Sequence, residues 1–206
     1  MPRMMTFWMT FMTTSLNRRA LLGALLCGAA APALAFGADG ASGLLRAGDV
    51  VFRLGTQNSI TEMIVRYSPL PAARRRWSHA GVVVSPTRGG GALVAHALEA
   101  GVVLETFEVF RSESRAVGVL RGPAEAAQTV ALTASSMLGR PFDDRLSLAD
   151  DGERIYCTEM LKRALAAAGV RVGWTLNDVP FFSENVLHPD SAWLDLLRAG
   201  FGEVQV

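Results

Sequence analysis

Ser78-His79-Ala80-Gly81-Val82-Val83-Val84 is an apolar stretch with a histidine at its mouth. From Ala80 to Val84 no polar residue alternates with the apolar ones, so both faces of the predicted strand are covered. That places the strand centrally in a sheet. Upstream, Val50-Val51-Phe52-Arg53-Leu54 follows the turn Ala47-Gly48-Asp49 as a second short strand. Between them, Ser59-x-x-Glu62 reads as the capping box of a helix with Ile60, Met63, Ile64 and Tyr67 on one face. Pro69 and Pro71 end that helix and open a basic loop.

Downstream, the Gly-rich stretch from Ser85 to Gly91 predicts a hairpin-type connection, and Ala92 to His96, Val102 to Glu105 and Ala116 to Leu120 predict further strands. The glycines of the connection are not a phosphate loop, because no helix follows and no lysine sits at the required offset. From Ala124 the period turns helical through Ala127, Val130, Ala131, Ala134, Met137 and Leu138, and Gly139 ends the segment. An acidic loop spans Asp143 to Gly152. A helix then starts at Cys157, buries Met160, Leu161, Ala164, Leu165 and Ala168, and stops at Gly169. A Pro180-Phe181-Phe182 turn and a helix around Ala192 to Arg198 close the chain. Strands and helices do not alternate regularly, which predicts an α+β fold, an antiparallel sheet packed against helices.

The 206 residues suit one domain large enough to bury a core, and they begin with what reads as an export leader. Arg18-Arg19 precede an apolar run from Ala20 to Ala31, and Ala33-Leu34-Ala35 offers a small-x-small cleavage pattern. The expected division is a signal peptide over 1–35, a Gly/Ala-rich tether over 36–43 and a single domain over 44–206. The apolar run is short of the ~20 residues that span a bilayer, so no stable membrane span is expected after cleavage. Asn17-Arg18-Arg19-Ala20-Leu21-Leu22 partly matches a twin-arginine signal, with the general secretory route as the alternative. The predicted location is periplasmic or secreted.

A cut after Ala35 removes three arginines (Arg3, Arg18 and Arg19) and moves the formal charge from +1 to −2. A near-neutral domain offers no field for nucleic acid, and Arg74-Arg75-Arg76 reads as a solvated loop. The cut also removes Cys27, which leaves Cys157 alone and excludes an intrachain disulfide. An unpaired thiol kept in an oxidising compartment suggests chemistry, against the alternative of an inert buried cysteine.

Cys157 falls where a helix begins, facing unpaired backbone N–H groups and the positive end of the helix dipole; both favour the thiolate. His79, at the mouth of the central strand, is the candidate general base. His96, on the neighbouring strand, is placed to engage the far ring nitrogen of His79 and fix its tautomer. The same three residues also contain the ligand types of a zinc site, but their spacing fits no compact zinc motif, so neither metal nor cofactor is expected.

Gly48-Asp49-Val50-Val51-Phe52, Ser78-His79-Ala80-Gly81-Val82-Val83, His96-Ala97 with Gly101-Val102, Leu138-Gly139-Arg140-Pro141-Phe142-Asp143 and Tyr156-Cys157-Thr158-Glu159 occur in that order. Together they resemble the motifs of the YiiX/YaeF-like family, circularly permuted papain-like hydrolases of the NlpC superfamily. The resemblance spans about Gly48 to Gly169. It implies a permuted papain-like fold with Cys157 as nucleophile, His79 as general base and His96 as orienting third residue. Many relatives carry an acidic residue in that third slot, and Glu99 is the fallback here. Tyr156 would assist an oxyanion site or pack in support. Glu159 is read as a first-turn carboxylate and Asp49 as a turn residue. The implied activity is hydrolysis of an amide or peptide bond through a thioester, with a small peptide, amide or acyl substrate and cell-wall peptide as one source. A lipid-directed thioesterase or acyltransferase and a non-catalytic wall-fragment binding domain are the alternatives.

Overall fold

Strand β1 (Val50–Gly55) lies between β2 (His79–Pro86) and β5 (Ser114–Arg121). With β3 (Ala92–Leu98), β4 (Gly101–Thr106) and β6 (Gly202–Val204) these make a six-stranded sheet of order β4-β3-β2-β1-β5-β6. Every neighbouring pair in this sheet is antiparallel. The chain is therefore α+β, and β2 is an interior strand, as its unbroken apolar run requires. The computed structural model describes residues 45–206 apart from 58, 87–90, 150–151, 181 and 183–184, and it does not describe the side chains of 59 and 60. The described residues fall in one compact unit, Gly40–Val206. The expected leader, its cut after Ala35, Cys27, the tether over 36–43, the Ser59 side of the capping box and the centre of the 85–91 connection lie outside the described residues.

Five α-helices and a short 3₁₀ helix (Ala72–Arg74) complete the fold among the described residues: α1 (Ser59–Arg66), α2 (Phe107–Ser112), α3 (Ala127–Ser136), α4 (Cys157–Ala167) and α5 (Pro189–Arg198). Side chains alternate across β2, so Ala80 and Val82 join Val50, Phe52 and Leu120 in a core with Val130 of α3, Met160 and Leu161 of α4 and Leu196 of α5. Val83 points the other way, with Val51, Val94 and Val119, and packs with Phe107 and Phe110 of α2. Full burial of each such side chain contributes about 1.5–3 kcal/mol, so both faces of β2 contribute to stability. Among the described residues no helix is long and apolar enough to cross a membrane.

Several elements differ from expectation. Helix α2 was not legible: it has six residues, too few to show a period, and is set by Thr106, whose hydroxyl accepts from the Val109 N–H at 3.3 Å. Helix α5 starts at Pro189 rather than near Ala192, because proline suits the first helical position, where no N–H partner is needed. Strand β3 runs on to Leu98, so only Glu99 and Ala100 form the turn into β4.

One glycine is required by the route to Cys157. Gly101 has φ +105°, and a Cβ there would lie 2.5 Å from the Arg140 carbonyl oxygen. That closeness lets Val102 donate to Arg140 O at 2.8 Å and accept from Gly139 N at 2.9 Å. Ile155 N then donates to Pro141 O at 2.9 Å, which fixes the chain immediately before Cys157.

Candidate active site

Strands β2 and β3 pair from Pro86↔Ala92 back to Val82↔Ala95, where the ladder ends. Beyond that point His79, Ala80 and Gly81 keep only their β1 partners, while His96, Ala97 and Leu98 keep only β4. The N-terminus of α4 meets the sheet at this opening. There the main-chain N–H of Ala80, lacking a ladder partner on β3, approaches the sulfur of Cys157. The sulfur thus stands within one peptide unit of His79.

The two imidazoles expected to act together do meet. His79 Nε2 and His96 Nδ1 are 2.9 Å apart, and the rings are close to perpendicular at 72°. His96 is fully buried, and its Nε2 lies 3.0 Å from Glu105 Oε2. Phe110 packs edge-on against His96 at 5.3 Å between centroids. The Arg53 guanidinium sits 4.7 Å over that same phenyl ring and donates to Glu113 at 3.0 Å. Among the described residues none hydrogen-bonds to His79 Nδ1, and no hydrogen bond joins Cys157 to either imidazole.

Electrostatics correct one expectation. The thiol of Cys157 is held above its ordinary value, because burial outweighs the N–H groups of Ala80, Thr158 and Cys157 itself and the Thr158 hydroxyl. The helix start therefore does not make a resting thiolate. His79 is held well below its ordinary value, first by burial and then by His96 and Arg53. His96 is pushed down to about 3, by burial and then Arg53. At neutral pH the resting groups are a thiol and two neutral imidazoles.

The supporting residues sort themselves by contact. The Tyr156 hydroxyl accepts from Leu187 N–H at 3.2 Å, and Thr158 donates to Leu187 O at 2.5 Å, so both tie the start of α4 to the segment leading into α5. Tyr156 thus fits the supporting role. Burial raises its phenol further from ionisation. Glu99, the fallback for His96 beside His79, sits exposed in the β3–β4 turn, while His96 itself contacts His79 and Glu105 lies against the far nitrogen of His96. Glu159 is buried and accepts from Arg163 Nε at 2.7 Å. Asp49, in its turn, accepts from Arg46 N and from Arg121 at 2.7 and 2.8 Å.

Glu105 is the site residue that the sequence did not point to. The signal was the two-residue turn: with Leu98 opposite Gly101, the register sets Val103 opposite His96 and Glu105 one step further along the same face. Reading β3 as ending at His96 hid that register.

Two further features bear on ligand chemistry. A cavity of about 170 Å³ lies between the β1 approach and α3, lined by Asp49, Arg121, Val130, Leu165 and Phe201 among others, and it contains no nucleophile or free base. Among the described residues no group of three His, Cys, Asp or Glu side chains is disposed to hold a metal ion. Comparison with known proteins gives no match to a family model, to a curated protein or to a solved structure.

Proposed function

We propose that this chain is an exported cysteine hydrolase with a circularly permuted papain-like fold, acting on an amide or peptide bond. The single observation that carries the reading is the N–H of Ala80 at the Cys157 sulfur, one residue after a His79 whose ring is held by His96. A buried thiol that receives the N–H of Ala80, a neutral imidazole on the preceding residue and a second ring gripping that imidazole are the parts that acyl transfer uses.

In this reading His79 Nδ1 takes the thiol proton as Cys157 sulfur attacks the carbonyl carbon. Attack is thus general-base assisted, in keeping with a thiol that burial keeps protonated. The backbone N–H groups at the start of α4 face the oxyanion as it forms. His79 returns the proton to the leaving amine, the thioester remains on Cys157, and water activated by the same ring releases the acid. A papain or NlpC-type relationship rests on the ordered motifs and on the α+β architecture with its interior histidine strand.

Intact-mass analysis after exposure to p-nitrophenyl acetate tests it. The expected result is one added acetyl group on Cys157, absent in Cys157→Ala and formed far more slowly in His79→Ala. Equal acetylation of all three proteins would remove the proposal and leave a binding domain as the surviving reading.

A further inference from the structure

Glu105 lies at the end of a hydrogen-bonded line that begins at the unengaged nitrogen of His79, and the direction of that line follows from donor and acceptor chemistry alone. Register puts Val94 opposite Glu105 and His96 opposite Val103, so the carboxylate and the imidazole share a face of the β3–β4 ladder. Glu105 Oε2 is 3.0 Å from His96 Nε2, and His96 Nδ1 is 2.9 Å from His79 Nε2.

An ionised carboxylate only accepts, so His96 Nε2 must carry a hydrogen. A neutral imidazole has one N–H, and His96 Nδ1 is then a lone pair. Its partner, His79 Nε2, must donate. His79 Nδ1 is thereby left with its lone pair, and no described residue donates to it. We propose that Glu105 is a positioning residue that sets the tautomers of both histidines and so keeps His79 Nδ1 available as the base. This rests on the reading of Cys157 and His79 as a catalytic pair.

The line can also run backwards. If one proton from solvent enters at His79 Nδ1, the His79 Nε2 proton passes to His96 Nδ1 and the His96 Nε2 proton passes to Glu105, whose carboxyl then donates to His96 Nε2. Each ring then keeps one proton but carries it on Nδ1, and His79 Nδ1 no longer accepts. The charged and titratable groups around the carboxylate are Arg53 from β1, His79 from β2, His96 from β3 and Glu113 beyond α2. Burial, then Glu113, raises the Glu105 carboxyl while Arg53 lowers it, with a net rise that brings the reversal closer to neutral pH.

Long-range ¹H–¹⁵N correlation spectra of the full chain labelled at its three histidines read these tautomers directly. His188 is an internal reference: its Nδ1 accepts from Asp190 N, so its hydrogen belongs on Nε2, toward Ile64 O. Wild type should show Nε2–H for His79 and His96. Glu105→Gln, whose amide can donate, should move both toward Nδ1–H and lower the Cys157 acetylation rate roughly 10²-fold, the scale of general-base assistance. Glu105→Asp should recover part of both signals. Glu105→Ala should leave mixed tautomers while His188 stays unchanged. Finding Nδ1–H on His79 in wild type, or identical tautomers in wild type, Gln and Ala variants, would overturn the inference. If wild type shows the expected tautomers but Cys157 never acetylates, the tautomer assignment stands while the catalytic reading fails.

Discussion

Two clusters of buried polar side chains in this molecule use the same residue types and end differently. At the head of α5, His188 is satisfied twice over by backbone: Nδ1 accepts from Asp190 N at 3.1 Å and Nε2 donates to Ile64 O at 2.9 Å. Asp190 accepts from Arg76 N, Trp77 N and the Ser68 hydroxyl, and so clamps the arginine loop to α5. Every strong acceptor there is committed. At the opening between β2 and β3 the line Glu105–His96–His79 ends on a nitrogen with no hydrogen-bond partner among the described residues, on the residue before the Ala80 N–H that reaches the Cys157 sulfur. A histidine whose two nitrogens are both engaged holds structure together. One held by a single nitrogen is oriented but still able to move a proton.

That contrast can be broken by mutation. Asp190→Ala leaves three donors, two of them on the buried Ser68 and Trp77, without their acceptor and should cost about 3–5 kcal/mol in a urea titration, the scale of breaking a buried charged network. A cost below about 1 kcal/mol would mean that the clamp is not structural. His79→Ala should cost far less stability than Asp190→Ala while removing most acyl transfer, so the two clusters separate in a paired measurement of unfolding and acetylation.

A second cut is Arg121→Met. It strands the buried Asp49 carboxylate, whose only charged partner among the described side chains is Arg121, and should cost about 3 kcal/mol by denaturant titration. Acetylation of Cys157 in the folded protein should be unchanged, because this pair lines the cavity and not the opening between β2 and β3.

Acid sharpens the same comparison. His96 binds its proton at about 3 in the folded chain against an ordinary 6.5, so the unfolded state takes up a proton that the folded state refuses between those values. Stability is therefore fully present above about pH 6.5 and falls toward pH 3, by at most about 1.4 kcal/mol per pH unit for this ring. His79 and His188 are displaced in the same direction and steepen the slope. His96→Gln should flatten the pH dependence measured by thermal unfolding; an unchanged slope would mean that His96 is not held neutral. The smallest effect expected is Thr158→Val, which loses the bond to Leu187 O and should cost about 1 kcal/mol.

The sheet and the helix from Cys157 were readable because their signals are local. Ala80–Val84 is apolar on both faces, and Met160, Leu161, Ala164 and Leu165 repeat at helical spacing and are all buried. The meeting of His79 with His96 was readable as neighbouring strands, once Ala92–Leu98 was seen as the partner of β2. What could not be read depended on register or on burial. Glu105 rather than Glu99 reaches His96 because β3 continues two residues past the histidine, a matter of turn length. The state of the Cys157 thiol turns on how deeply the sulfur is buried, and sequence carries only the opposing helix-end contribution. The Asp190 clamp joins residues more than a hundred positions apart, and no local pattern announces it.

The central claim is that His79 draws the proton from a Cys157 thiol that burial keeps protonated. Its most direct test is the rate of Cys157 acetylation by p-nitrophenyl acetate in wild type and His79→Ala, followed from about pH 5 to about pH 9. The account predicts that wild type reacts at neutral pH roughly 10²-fold faster than His79→Ala, and that the variant recovers only as alkali ionises the thiol. Superimposable pH profiles for the two proteins would contradict it.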